Sequence, residues 1–144
     1  MQVLRINALD TINIRREMLR QDFPAEACHY PGDDDDLTFH LGGFVDSKLV
    51  SIASFYFNKH ESIQEDNQFQ LRGMATLPDF QGQGISSQLL QTAFPIIKQN
   101  LVNVLWCNAR KTAIGFYESV GFEKVGDEFE VDKIGTHILM YKKI

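Results

Sequence analysis

The sequence predicts an α/β fold with a mixed sheet, and three observations predict it. Stretches of period-two hydrophobicity occur early, midway and late in the chain. A helical period takes over after Gly84. The helix it marks joins two strands that a connection of this length makes parallel, while the remaining strands form antiparallel hairpins.

The elements follow in order. Val3 to Ile6 is a short first strand. Asp10 or Thr11 caps a helix running to about Arg20, with Ile14 and Met18 one turn apart on one face. The stretch from Gln21 to Asp36, with Pro24 and Pro31, lacks periodicity and is expected to be an irregular or partly helical surface segment. Leu37, Phe39 and Leu41 alternate with polar or small residues in a strand ending near Val45. Asp46 to Lys48 turns the chain into a second arm, Leu49 to Phe57. Asn58 to Asn67 is polar and loop-like. Phe69, Leu71, Gly73 and Ala75 mark a strand that stops at Pro78.

Ile85, Leu89, Ala93 and Ile97 form an amphipathic stripe, and Pro95 inside it is expected to kink or shorten the last turns. Val102 to Cys107 is nearly all apolar, as for a strand buried on both faces. Ala113, Phe116, Tyr117 and Val120 fit a short helix, with Gly121 at the position of a left-handed cap. Val125 to Val131 and His137 to Tyr141 close the chain as a hairpin.

Composition narrows the function. The 144 residues are 44% apolar and 23% charged, with a formal net charge of -5. This length suggests one domain spanning residues 1–144, and the apolar content supports a self-sufficient core. The acidic balance offers no footprint for nucleic acid. Cys28 and Cys107 cannot make a disulfide framework, and their spacing to the histidines fits no zinc pattern, so no metal is expected. With no signal peptide and no run of about 20 apolar residues, a soluble, reduced, cytoplasmic protein is expected.

The most informative stretch is Leu77 to Ser87, which joins a strand to a helix N-terminus. Gly82 and Gly84 let backbone N–H groups converge on one point. They join the unpaired amides and positive dipole end of the helix in an anion site, to which Ser86 and Ser87 add hydroxyls. An ordinary glycine turn with serine caps is the plain alternative. The lysine of a nucleotide-triphosphate loop is missing. So are the third glycine and distal acid of a dinucleotide site.

Gln81-Gly82-Gln83-Gly84-Ile85-Ser86 resembles the acyl-CoA signature of the GNAT superfamily of N-acetyltransferases. The run from Ala113 through Phe116 and Tyr117 to Gly121 and Phe122 resembles that family's second signature, in the same order and spacing. The resemblance covers nearly the whole chain and extends to a bacterial subgroup through Leu71 to Ala75, Leu105 to Arg110 and Gly135 to Met140. It implies a twisted, mostly antiparallel sheet with helices on both faces and a central β-α-β acyl-CoA-binding crossover. Ser86 departs from the usual glycine or alanine. Arg110 departs from the usual asparagine, and either pairs with an anion or lies on the surface.

The resemblance implies that the amides of Gln81, Gly82, Gln83, Gly84, Ile85, Ser86 and Ser87 hold the pyrophosphate of acetyl-CoA, the co-substrate. Met74, Ala75 and Thr76 would pair with the pantetheine arm as an added strand, with Asn108, Phe116 and Tyr117 as further contacts. Gly73 marks either a bulge freeing this edge or close packing beneath a neighbour. Gly115 allows either cofactor approach or helix packing.

The implied reaction is direct attack of an amine on the thioester in a ternary complex. Tyr117 matches the family's proton donor to the leaving thiolate. Ordinary values near 10 for tyrosine and about 8.5 for a thiol make full transfer uphill, so a hydrogen bond is expected unless its pKa is lowered. The base is open. His137 comes first and His40 second, although a lone strand histidine is more often structural. Glu128 and Glu130 are further candidates, and a water chain is the fallback.

A site without a strong base suits an amine of pKa about 8 better than a lysine of about 10.4. The expected partner is therefore a small-molecule amine, such as an amino sugar, with no nucleic acid or membrane and with a monomeric or homodimeric chain. A peptide acetyltransferase and a non-catalytic acyl-CoA sensor are the alternatives. Asp33 to Asp36 reads as a solvated run in which Asp36 alone is a candidate substrate contact. Arg72 either faces the acceptor or decorates its strand, and Cys107 is a core hydrophobe.

Overall fold

The computed structural model describes all of residues 1–144. Seven strands, β1 (Gln2–Ile6), β2 (Phe39–Val45), β3 (Lys48–Tyr56), β4 (Phe69–Thr76), β5 (Val104–Arg110), β6 (Glu123–Val131) and β7 (Gly135–Lys143), form a sheet of order β1-β2-β3-β4-β5-β7-β6. The helices are α1 (Ile12–Met18), α2 (Ile85–Gln99) and α3 (Ile114–Ser119). β4 and β5 are parallel, Phe69 facing Leu105, while β1 with β2, β2 with β3, β5 with β7 and β6 with β7 pair antiparallel. This is the mixed α/β architecture expected. No helix is long and apolar enough to cross a membrane.

The chain forms two compact units, residues 1–56 with 71–96 and residues 57–70 with 97–144. In the first, Ile14, Ile52 and Ala75 form a core against which Ile6, Met18, Leu19, Leu49 and Leu77 pack. Gly43 makes room here, because a Cβ on it would stand 2.8 Å from Ile85 Cγ2. In the second, Ile63, Val104, Trp106 and Leu139 form the core, with Val125 and Tyr141 against it.

Several boundaries move. Asn7 and Asp10 close a capping box on a 3-10 turn, Ala8–Thr11, that leads into α1. Thr11 directs its hydroxyl to Ala8 O, and α1 ends at Met18 rather than Arg20. Pro95 does not end α2, which runs on to Gln99. β5 begins later than the apolar run and extends to Arg110. α3 is six residues long, and Gly121 takes the expected left-handed φ of +99° while Phe122 N–H donates to Tyr117 O. The segment from Gln21 to Asp36 is no mere surface: Cys28, Tyr30 and Asp33 are buried.

Candidate active site

The loop after β4 is built by its backbone. Gly82 and Gly84 have φ of +75° and +80°, where a side chain is strained. No atom lies within 4 Å of a Cβ placed on either. The space beside them is therefore open, and Gln88 N–H to Gly84 O (3.1 Å) is the first bond of α2. The amides before Gln88 have no partner within the helix and carry its positive end. Gln81 Nε2 donates to Thr76 O at 2.9 Å and ties the loop to the strand end. Open N–H donors at a helix start fit the oxygens of a pyrophosphate.

Beneath this loop runs a chain of hydroxyls. Ser86 Oγ lies 2.8 Å from Thr76 Oγ1, which lies 2.7 Å from Ser51 Oγ. Ser51 donates to Ala75 O at 3.2 Å. Each hydroxyl has one proton, so in this direction Thr76 donates to Ser51 and Ser86 to Thr76. Ser86 thus directs its proton inward.

In the second unit Tyr117 is 8% exposed, on α3, and its side chain neighbours the Cys107 thiol. Burial raises both pKa values, and the thiol adds to the rise at Tyr117. The Tyr117 hydroxyl is therefore held in its protonated form. Phe116 and Phe122 stand edge-on to its ring at 5.2 and 5.3 Å. Cys107 is buried, as expected, but it touches the tyrosine that the family motif singles out. Asn108 and Arg110 are exposed on β5. A Cβ on Gly115 would meet nothing within 4 Å, so helix packing does not require glycine there.

The base candidates lie in different surroundings. His137 is 7% exposed on β7; its Nδ1 is 2.9 Å from Gly135 O, and Phe129 stacks on its ring. A carbonyl only accepts, so Nδ1 carries a proton, and in the neutral ring the lone pair is on Nε2. Glu128 pairs with Lys111 at 3.2 Å, and Glu130 accepts from Thr136. His40 is fully engaged. Its Nε2 donates to Asp33 O (3.0 Å), so Nδ1 accepts the proton of Ser54 Oγ (2.7 Å). Burial lowers its pKa and favours this neutral ring.

His40 borders a network that sequence reading missed. Arg15 and the Asp33 side chain are fully buried. Arg15 grips Asp33 through both terminal nitrogens (2.6 and 3.0 Å) and also donates to Cys28 O and Ser54 Oγ at 2.8 Å each. Tyr56 Oη and the Tyr30 amide complete the shell of the carboxylate. Burial alone would raise the Asp33 pKa, but the bonds from Arg15, Tyr56 and Tyr30 outweigh it and hold it below the ordinary value. The acidic run is thus divided: Asp33 is a core ion, while Asp34, Asp35 and Asp36 are exposed. A readable signal existed. Ser54 and Tyr56 share one face of an apolar strand, and His40 faces Ser54 in register.

A family model described as an acetyltransferase (GNAT) domain matches residues 35–144. The chain belongs to the GNAT family. A Bacillus subtilis (strain 168) protein named as an uncharacterized N-acetyltransferase, YitI, is 38% identical over 144 residues, covering 100% of this chain and 97% of that protein. Among solved structures, an aminoglycoside 6'-N-acetyltransferase complexed with coenzyme A shares the fold at a TM-score of 0.78 and 11% identity, covering 99% of this chain and 97% of that one. Escherichia coli ElaA does so at 0.77 and 17%, covering 99% of each chain. GNAT membership makes the chain an acyltransferase, and its reaction is acetyl-CoA-dependent acetylation.

Proposed function

We propose that this GNAT enzyme moves the acetyl group of acetyl-CoA to a primary amine on a small molecule, an amino sugar being one candidate, by direct attack in a ternary complex. The observation that carries the reading is the open loop at Gly82 and Gly84, whose free amides begin α2. The amides of residues 81–87 receive the pyrophosphate. Met74, Ala75 and Thr76 take the pantetheine arm, and Asn108 and Phe116 add contacts. Residues 1–144 act as one domain, a reading supported by the end-to-end match to YitI. Two free, buried thiols suit a reducing, cytoplasmic setting.

Acetyl-CoA supplies an activated acyl carbon and a thiolate leaving group; the protein orients both partners and manages protons. Tyr117 donates a hydrogen bond to the sulfur as the bond to carbon breaks. Its raised pKa makes it a donor of a hydrogen bond rather than a source of a free proton. His137 Nε2 has the free lone pair to accept the amine proton. His40 holds the fold together, since its lone pair is already taken.

The test is CoA-thiol release from acetyl-CoA across small amines, amino sugars and peptides. Turnover on one small-amine class is expected, and Tyr117→Phe should lower kcat about 100-fold, a much larger effect than its change in acetyl-CoA affinity. Turnover confined to peptides, or a Tyr117→Phe enzyme with full kcat, would overturn the reading.

A further inference from the structure

Tyr30 is the centre of a cationic cluster that the loop and Tyr117 leave unused. Three guanidiniums face its ring: Arg15 at 4.0 Å from the centroid, Arg72 at 4.6 Å and Arg20 at 4.9 Å. Arg72 also stands 5.9 Å from the Tyr56 ring centroid. Only Arg15 has a carboxylate within ion-pair distance. Arg20 donates one long bond, 3.4 Å, to Ala27 O, while Arg72 has no hydrogen-bond acceptor in the chain. Three cations thus share one anion, in a chain whose net charge is -5.

A second observation points to the same place. Arg15 Nε is the only buried side-chain polar atom without a hydrogen-bond partner. It lies 3.5 Å from where a Cβ on Gly73 would stand, and the Tyr30 ring and hydroxyl lie 3.2 and 4.0 Å from that point. Gly73 has φ of +62°, so its backbone bends away from regular strand geometry where it packs against the Tyr30 ring. An orphan donor, a phenol and a guanidinium without a carboxylate partner therefore gather beside one glycine. Cation–π contact accounts for the stacking, but it leaves the Nε–H and the surplus charge without a counterpart.

We propose that this cluster binds an anionic group, a carboxylate or a phosphate ester, carried by the acceptor amine. The inference rests on the acetyltransferase reading. With the pyrophosphate at the loop and the pantetheine arm along Thr76, Ala75 and Met74, the acyl end arrives at Gly73 and Arg72. Arg72 presents the planar fork that matches carboxylate and phosphate oxygens. The acceptor is then an amine bearing negative charge, not a polycation.

The experiment uses matched acceptors: an amino acid and its carboxamide, and an amino-sugar phosphate and the unphosphorylated sugar. At least one anionic member should exceed its neutral partner in kcat/KM by more than about 10-fold, and the pair that responds separates carboxylate from phosphate. Arg72→Gln should raise KM for that member about 10- to 100-fold, the range of a charge-assisted bond, with acetyl-CoA affinity unchanged. Arg72→Lys should recover part of it, keeping charge but losing the fork. Independently of turnover, inorganic phosphate or acetate added to the CoA-saturated protein should shift the Nε–H resonances of Arg72 and Arg20, the half-buried members of the cluster, together. Neutral acceptors used as well as anionic ones, or Arg72 and Arg20 resonances that ignore both anions, would overturn the proposal. Failure to bind acetyl-CoA would instead defeat the acetyltransferase reading, and the anion titration would still decide this one.

Discussion

The ion pair between Arg15 and Asp33 and the loop from Leu77 to Ser87, which we propose receives the pyrophosphate, both lie in the first unit and present charge-binding groups by opposite means. The loop uses backbone amides, two glycines and a helix start, all within eleven residues, and it stays open. The ion pair uses side chains eighteen residues apart and is closed from every side. An amide donor needs only the right φ and ψ, so its chemistry is local. A buried guanidinium loses its hydration, and its charge survives only where a carboxylate and further acceptors replace the water. Burial works against Arg15, yet the Asp33 hydrogen bond and the neighbouring groups leave its pKa above the ordinary value.

The hardest way to break this comparison is to remove the carboxylate. Asp33→Ala strands a buried cation and should cost about 3–5 kcal/mol, measured as a lower urea midpoint. Asp34→Asn, one residue along the same run, should change stability by less than about 0.5 kcal/mol, because Asp34 is exposed. The pH dependence has a definite sign. Asp33 has a folded pKa below its unfolded value near 4, so its contribution is present above that pH and is lost as pH falls through the folded value. The stability gap between the native chain and Asp33→Ala should therefore narrow below about pH 4. A gap constant from pH 7 to pH 2 would show that Asp33 acts by packing rather than charge.

This contrast also explains what was readable. Glycine spacing, the strand before it and the helical stripe after it lie together in sequence, so the loop and the parallel crossover were legible from Phe69 to Ser87. Arg15 was not, because in a seven-residue helix one turn of periodicity cannot tell a buried arginine from the exposed Arg16 beside it. Four consecutive aspartates obey the rule for solvated runs at three positions and break it at Asp33. Pro95 shows how packing carries a helix past a proline, since α2 continues to Gln99. A proline removes one helix bond, yet tertiary packing holds the last turn, where Ile97 is fully buried.

The loop half of the comparison is sharpened by Gly84→Ala. Forcing a Cβ at φ of +80° costs roughly 1–2 kcal/mol, and the same strain should tilt the amides and raise the acetyl-CoA dissociation constant about 10-fold in calorimetry. Gly115→Ala is the counterpart. It lies in a helix with open space at the Cβ position, so it should stabilise the chain by up to about 1 kcal/mol. If acetyl-CoA affinity nevertheless falls in Gly115→Ala, the cofactor approaches α3 there, and that glycine has the functional reading.

The smallest effect belongs to Ser86, where this chain departs from its family's usual glycine or alanine. Two directions of the hydroxyl chain make different predictions. If Ser86 gave its proton to a phosphate oxygen, Ser86→Ala would remove a charge-assisted bond and weaken acetyl-CoA binding about 10-fold or more. The bond from Ser51 to Ala75 O instead orients the chain inward and assigns that proton to Thr76. Ser86→Ala should then lower stability by about 1 kcal/mol while changing acetyl-CoA affinity less than about threefold. Thr76→Val should lower stability similarly, because it interrupts the same chain one link further in. A large affinity loss in Ser86→Ala at unchanged stability would reverse the direction of the chain and make the hydroxyl part of the anion site.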